Sequence, residues 1–484
     1  MPNNRGAWLL VLASTAACGA SGTKSGDDAP GASSDSAPND ATPSSSAEWQ
    51  SGTRLRARVL DGGGGASLFS TWFDSERNVE CSWAQTAEGA VRCLPRQVSL
   101  PYQLYADATC STSRVVMESD CAPASPYVTF YESGAINPTV YRLGEVLPMP
   151  LPPLFEAGPN GCVATTVTSV SGYHLTNATL VANDLFVVAT REREMRGTRL
   201  AVDVFATADG ARDRRSVLDV ARASHCRNMD GHISGEPCLP ARSLFAGSLF
   251  ADATCTTHIA TAPGRLQPFL DEPAPLARTR SNEYFEVGAI YDGPLYQQSA
   301  TCNVFPREQI NNAPLWSLGA PVPPSALPAM LTNNEPHAGL HVVAATSASG
   351  ERLRGLRFFD PAFNGACTVH VAADQQLRCM TGLQGSFESY RDASCTQPIL
   401  QIYTGNSATF VPPARVVNLG DGACYQTNVA TVYPVGAALP ANTIGYRRSG
   451  QMCELVPADN NYAYFETAGP APAAASPLVL VRTE

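Results

Sequence analysis

The chain has one lysine, Lys24, no Cys-x-x-Cys pair and no His-Glu-x-x-His. After the first 17 residues it has no apolar run long enough to span a bilayer. Each absence excludes something. The formal charge is −10 and the pI is near 5.3. A nucleic-acid partner is not expected, because phosphate recognition relies on basic patches. Without Cys-x-x-Cys, the usual structural zinc spacing is missing, and no metal site is expected. The folded region also lacks a Gly-x-Ser-x-Gly elbow, and Asp61-Gly62-Gly63-Gly64-Gly65 has no lysine or following helix to make a phosphate loop. No catalytic set and no cofactor are expected.

What is present begins with an export signal. Residues 1–6 carry one base, Arg5, and residues 7–17 (AWLLVLASTAA) form an apolar stretch of secretory length. Cys18 follows Thr15-Ala16-Ala17 and precedes Gly19, the arrangement of an acylated lipobox cysteine, with Thr15 where Leu is usual. Residues 1–18 therefore read as a signal peptide ending at a lipidation site. Residues 19–50 are rich in Ser, Ala, Gly, Asp and Pro. Such a segment buries too little apolar surface to offset chain entropy, and it reads as a disordered tether. These features predict an outer-membrane or cell-surface lipoprotein, or otherwise a secreted protein.

The region beyond the tether repeats. Gly52-Thr-Arg-Leu55, Gly197-Thr-Arg-Leu200 and Gly350-Glu-Arg-Leu353 share wording at offsets of 145 and 153 residues. Cysteines follow in step: Cys81, Cys93 and Cys110; Cys226, Cys238 and Cys255; Cys367, Cys379 and Cys395. Asp107-Ala-Thr-Cys110, Asp252-Ala-Thr-Cys255 and Asp392-Ala-Ser-Cys395 match. Val140-Tyr-Arg-Leu-Gly144 matches Val432-Tyr-Pro-Val-Gly436 and, more weakly, Trp316-Ser-Leu-Gly319. Apolar runs at 185–188, 340–343 and 478–481 are taken to close the copies. The expected units are 51–196, 197–349 and 350–484.

Within each copy, segments such as Leu55 to Leu60 alternate polar and apolar residues, and aromatic and β-branched runs are punctuated by Gly, Pro, Asn and Asp. The fold class is all-β, in three tandem repeats of ~145 residues. Residues 215–222 have a helical alternative. A ring of meander blades resembling a propeller is preferred over three sandwich or barrel beads.

Setting Cys18 aside, fourteen cysteines remain, which in an exported chain imply a disulfide framework. Cys81 with Cys93, Cys226 with Cys238, and Cys367 with Cys379 would face each other across hairpins, each bond contributing about 2–4 kcal/mol. By register, Cys255 pairs with Cys302, Cys395 with Cys424 and Cys110 with Cys121. Cys162 and Cys453 are left as a speculative pair that would bring the first and last copies together in a closed ring.

Few residues invite chemistry. His337 and His341 are four apart but lie beside Pro336 and Gly339 at the start of a strand, which separates them. Asp107, Asp252 and Asp392 recur in every copy, as do Asp74 and Asp360 after an aromatic; they read as turn caps before they read as ligands. Trp72, Trp83, Trp316, Tyr462 and Tyr464 are candidates for a sugar platform, or for core.

The wording Trp72-Phe-Asp74, Cys81, Arg92-Cys-Leu-Pro95, Asp107-Ala-Thr-Cys110 and Val140-Tyr-x-x-Gly144 resembles a group of cysteine-rich repeat lipoproteins from GC-rich soil bacteria. Copy two departs from it at Glu236-Pro237-Cys238, and copy three at Arg378-Cys-Met-Thr381. The resemblance implies extracytoplasmic placement and carries no catalytic residue. The expected function is a lipid-anchored, non-enzymatic surface scaffold that binds an unknown glycan or protein. The alternatives are a secreted carbohydrate-active enzyme and a structural envelope protein.

Overall fold

Strand Leu55–Asp61 buries Leu55, Ala57 and Val59 and leaves the residues between them half-buried. That two-residue period recurs through the chain. The computed structural model describes residues 48–96, 100–110, 114–119, 125–131, 137–158, 161–167, 173–227, 237–241, 243–261, 276–279, 283–298, 301–310, 314–372, 374, 376–404, 412–419, 430–440, 445–449, 452–456, 461–467, 475–477 and 479–482. The architecture is all-β; among the described residues the helical elements are four short 3-10 turns.

Antiparallel pairing links three meanders in succession. Leu55–Asp61, Ser67–Asp74, Val79–Gln85 and Val91–Pro95 form a meander. Val188–Arg196 starts beside the last of these, with Val188 opposite Arg92, and then crosses to pair with Leu200–Thr207. Arg212–Asp219 and Ser224–His225 continue the second meander, which two bridges, Cys226 to Pro240 and Pro237 to Ala329, join to the third. There Met330–Glu335, His341–Ser347, Arg352–Asp360, Gly365–Val371 and Leu377–Thr381 follow in order. Finally Ala475–Pro477 pairs with Leu377–Thr381, and Val479–Arg482 pairs with Leu55–Asp61. The pairing thus returns to its first strand, and the ring is closed by main-chain hydrogen bonds. Neighbouring units share ladder pairs, which separate propeller blades do not.

The register fixes which residues are equivalent. Leu55 lies opposite Asp74 and Leu200 opposite Asp219, and His341 opposite Phe359 sets Leu340 against Asp360. A β-bulge at Ser70, Arg215 and Leu356 recurs in the following strand and bends it toward the next unit. Leu340, not Leu353, is therefore the counterpart of Leu55 and Leu200. The expected boundary at 350 is displaced by one hairpin, and the run at 340–343 opens the third unit rather than closing the second. The misleading match was between turns: Gly197 and Gly350 both have positive φ, at 74° and 83°. Such positions select glycine wherever a tight turn falls. Residues 215–219 are strand, not helix, and only Val220–Arg222 forms a 3-10 turn. Val217 and Leu218 are both buried because this strand is covered on both faces, which removes the polar alternation that normally marks a strand.

A second body is inserted after each meander. The first holds strands Leu100–Tyr105, Arg114–Ser119, Tyr127–Tyr131, Pro138–Val146 and Tyr173–Val181. The second holds Leu244–Phe250, His258–Thr261, Leu276–Thr279, Tyr284–Ile290 and Leu315–Val322, and the third Leu383–Tyr390, Pro398–Tyr403, Arg415–Leu419, Ala430–Ala438 and Tyr462–Thr467. In the second and third, the first strand pairs antiparallel with its second and parallel with its third, so five strands close into a barrel. Barrels are thus present, as insertions in a ring rather than as beads on a tether.

The cores explain the assembly. Leu55, Trp72, Cys81, Trp83 and Cys93 pack with Ala189, Phe205 and Ala211 of the second unit. Leu200, Val217, Cys226 and Cys238 pack with Met330, Ala345 and Leu356 of the third. Leu340, Phe358, Cys367 and Cys379 pack with Leu60, Ala66 and Leu68 of the first. Each unit is completed by the next. Smaller clusters seat the inserted bodies, such as Leu94 with Tyr127, Val140 and Phe186.

Glu48, Trp49 and Gln50, expected at the end of the tether, belong to the fold. Trp49–Gln50 pairs with Arg212–Asp219. Glu48 accepts hydrogen bonds from the Gly355 amide and the Arg352 guanidinium. The chain therefore enters wedged between the second and third units.

The joint between the first two units contains a polar contact in an apolar setting. The indole N–H groups of Trp72 and Trp83 both donate to Asp213 Oδ2, at 2.8 and 2.7 Å, and all three side chains are buried. Asp213→Ala strands both indoles, each unsatisfied group costing about 1–3 kcal/mol. The expected result is a drop of roughly 2–5 kcal/mol in the urea-unfolding free energy, with a red-shifted tryptophan emission. Asp213→Asn keeps an acceptor oxygen and should lose less. An alanine variant as stable as the parent would show that these bonds hold nothing.

Candidate functional site

A hairpin leaves each inserted body between its fourth and fifth strands: Leu154–Gly158 with Gly161–Thr165, Tyr296–Gln298 with Cys302–Val304, and Gly445–Ser449 with Met452–Val456. Two residue pairs join it to the body's first strand in every case. Its outer strand is the sheet edge and turns apolar side chains to solvent: Val163, Val304, Met452 and Leu455 are 51–73% exposed.

A disulfide ties each hairpin to the loop after the first strand: Cys110–Cys162, Cys255–Cys302 and Cys395–Cys453, with Cα separations of 5.6, 5.7 and 5.8 Å. This corrects three expectations. Cys110 does not pair with Cys121, Cys395 does not pair with Cys424, and Cys162 and Cys453 are not joined to each other. A usable signal was missed. Tyr284-Phe-Glu-Val-Gly288, not Trp316-Ser-Leu-Gly319, matches Val140-Tyr-Arg-Leu-Gly144 and Val432-Tyr-Pro-Val-Gly436. Gly144, Gly288 and Gly436 each run against the body's fifth strand; a Cβ there would meet the Asn177, Ser317 and Glu466 carbonyls at 3.3, 2.7 and 2.7 Å. In that register Cys162, Cys302 and Cys453 follow alike. Cys18, Cys121 and Cys424 lie outside the described residues.

The other three disulfides are in the ring: Cys81–Cys93, Cys226–Cys238 and Cys367–Cys379. The paired cysteines are not directly opposite. Cys81 faces Pro95 and Trp83 faces Cys93, and the third unit repeats this offset of two with Cys367 facing Thr381. The bond runs diagonally across the strands. Six disulfides among the described residues point to an oxidising, extracytoplasmic environment.

The recurrent aspartates serve the hairpin corner. Asp107 accepts from the Thr109 amide and hydroxyl. Asp252 accepts from the Thr254 hydroxyl and the Thr256 and Thr257 amides, and Asp392 from the Ser394 and Thr396 hydroxyls and the Thr396 and Gln397 amides. The Thr254 and Thr396 hydroxyls, with these amides, hold the Asp252 and Asp392 carboxyls far below the usual range. In each loop the cysteine amide donates to the aspartate carbonyl at 3.0–3.1 Å, and the cysteine sits at φ near +50°. Each carboxylate is committed to its own turn.

Asp74 and Asp360 are also turn caps. Asp74 accepts from the Glu76 and Arg77 amides and Asp360 from the Ala362 amide. Asp74 additionally takes a two-pronged bond from Arg54, at 2.9 and 2.7 Å, which Asp219 and Arg199 repeat.

One polar cluster breaks the pattern. Asp203 is buried in the second unit, with Arg191 Nε at 2.8 Å, Arg193 Nε at 3.0 Å and His225 Nε2 at 2.6 Å. Burial would raise its carboxyl, but His225, Arg191 and Arg193 together hold it down at about 2. The equivalent positions carry Arg58 and Glu80, an ion pair, in the first unit and Val343 and Ala366 in the third. The Asp203 and His225 pair is thus reversed in charge in the first unit and replaced by two uncharged residues in the third, so the cluster is not a feature common to the three units.

The remaining candidates are not brought together. Trp72, Trp83 and Tyr464 are buried. Trp316 packs on the second barrel's core. Tyr462 meets the exposed Tyr403 edge-on at 5.4 Å. His341 stacks on Phe359, while Gly64 and Gly65 pack against Ala338 and His337. No group of three His, Cys, Asp or Glu side chains among the described residues is placed to hold a metal.

No curated protein and no solved structure matches the chain. Residues 34–308, more than half of its length, match a family of unknown function, DUF7481, and the chain belongs to that family.

Proposed function

We propose that the chain is an exported, lipid-anchored, non-enzymatic scaffold whose three disulfide-tied hairpins meet a protein or glycan partner outside the cytoplasm. One observation carries the reading. The same corner is built three times around one ring, and each time it holds an apolar strand edge in solvent. An open edge invites pairing with an extended partner. The recurrent carboxylates are used within the fold: Asp107, Asp252 and Asp392 hold their own turns, Asp74 holds Arg54, and Asp360 caps a turn. A glycosidase would instead need two free carboxylates facing across a cleft.

The anchor is tested by growing cells with labelled palmitate. Label that stays with the membrane fraction and vanishes in Cys18→Ser supports the anchor; a soluble, unlabelled parent overturns it. The binding role is tested with residues 48–484, expressed for export and titrated against envelope glycans and surface proteins of the host. Retained binding after Val304→Asp, Leu455→Asp and Val163→Asp are combined would remove the hairpins from the role.

A further inference from the structure

We propose that the three hairpin disulfides are sites of reversible exchange with a dithiol reductant, and that reduction frees each hairpin from its inserted body while the ring keeps its own disulfides. The two sets differ in access. The ring sulfurs belong to buried residues, from 0% exposed at Cys81, Cys93 and Cys379 to 7% at Cys226. Cys162, Cys302 and Cys453 are half-buried, as are Cys110 and Cys255, and only Cys395 is fully covered. A reductant therefore reaches the hairpin side of each of these bonds, and exposed disulfides are the labile class.

Two of the three ring bonds also differ from the hairpin bonds in what remains once the bond is cut, while Cys226–Cys238, beside isolated bridges, is set apart by its burial. Cys81 and Cys93 sit within five consecutive ladder pairs, and so do Cys367 and Cys379. Those strands stay paired without the sulfur bridge. Each hairpin is held to its inserted body by two ladder pairs. The backbone adds to the difference. Cys110, Cys255 and Cys395 are in the left-handed region at φ 52°, 54° and 51°. That conformation disfavours a residue with a Cβ. The bond and the aspartate turn hold it there, and cutting the bond removes one restraint.

In the exchange, a thiolate of the reductant attacks the half-buried sulfur of Cys162, Cys302 or Cys453. The leaving thiolate on Cys110, Cys255 or Cys395 takes a proton. The reductant's second thiol then attacks the mixed disulfide, so the reductant ends oxidised and both cysteines end as thiols. Release loosens the hairpin base, where Leu154 and Leu295, now 2% and 3% exposed, pack into the cores of the first and second inserted bodies. The proposal does not depend on which partner the hairpins meet.

The test is a titration of the oxidised full chain with dithiothreitol in native buffer, quenched with N-ethylmaleimide and mapped by peptide mass spectrometry. Cys110, Cys162, Cys255, Cys302, Cys395 and Cys453 should be labelled at reductant concentrations about ten-fold or more below those needed for the ring cysteines. Far-ultraviolet circular dichroism should hold steady at that stage, and binding of an apolar dye should rise. Labelling of both sets together, ring cysteines first, or no labelling before the dichroism collapses would each overturn the proposal. A Cys255→Ser, Cys302→Ser double variant gives a second measurement. Chymotrypsin should cut it near Tyr296 or Phe305 about ten-fold faster than the parent; an unchanged rate counts against release.

Discussion

Deletion of residues 475–484 should leave the protein without a single cooperative thermal transition. Ala475–Pro477 supplies three residue pairs to Leu377–Thr381, and Val479–Arg482 supplies four to Leu55–Asp61. These pairs are the seam of the ring. Removing them opens two strand edges over the cluster of Leu60, Ala66 and Leu68 with Leu340, Phe358, Cys367 and Cys379. At about 1 kcal/mol net per hydrogen bond, the loss is comparable with the whole stability of an ordinary domain, about 5–15 kcal/mol. The six disulfides among the described residues do not span the seam, because each joins residues of a single unit. Calorimetry of the truncated chain decides the matter. One sharp transition within a few degrees of the parent would mean that the ring does not need its seam.

The second large effect is expected at Asp203. Replacing it with alanine leaves His225, 4% exposed, and two arginines without their shared acceptor. The Arg191 and Arg193 side chains are 38% and 45% exposed and regain water, so the loss falls below that of a fully buried pair, at about 2–3 kcal/mol. The pH dependence has a definite sign. The carboxyl is held at about 2 in the folded protein, below its ordinary 3.8. Its contribution is therefore fully present above pH ~4 and is lost as pH falls through about 2. A shift of this size is worth roughly 2 kcal/mol. Urea unfolding at pH 7 should separate parent and Asp203→Ala widely, and the gap should narrow by pH 2. A gap that does not change with pH would mean that the charge on Asp203 is not what stabilises the second unit. Replacing Asp203 and His225 together with Val and Ala, the residues of the third unit, should recover part of the loss, since no charged group is then left buried without a partner.

The strands were legible because alternation is local. Leu55 to Leu60 and Val79 to Ala84 declare their buried faces residue by residue. The twelve-residue spacing of Cys81 and Cys93 likewise implied a hairpin bond, because a short loop leaves few partners within reach. The strand Arg212–Asp219 was ambiguous, since the β-bulge at Arg215 and the adjacent buried pair Val217 and Leu218 break the two-residue alternation that marks a strand. The long-range bonds were misread for a different reason. Cys110 and Cys162 are separated by 52 residues and four strands, and their meeting depends on how the strands of the inserted body assemble. Nothing in the spacing encodes that assembly. Only the glycines that let the fourth strand press on the fifth, Gly144, Gly288 and Gly436, mark it in the sequence.

By itself, then, the sequence determined an all-β chain with recurring units, a disulfide framework and aspartate-capped turns, because each depends on contacts a few residues apart. The tertiary structure alone decided that the units close through a strand near residue 480 paired with one near residue 58, and that a five-stranded body, closed as a barrel in the second and third, is set into each unit. It also decided that Asp203 and Asp213 are buried with partners 10–141 residues away. Those outcomes depend on which apolar faces meet when the whole chain collapses. A face carries its hydrophobicity in its own residues, while its partner is chosen by all the others.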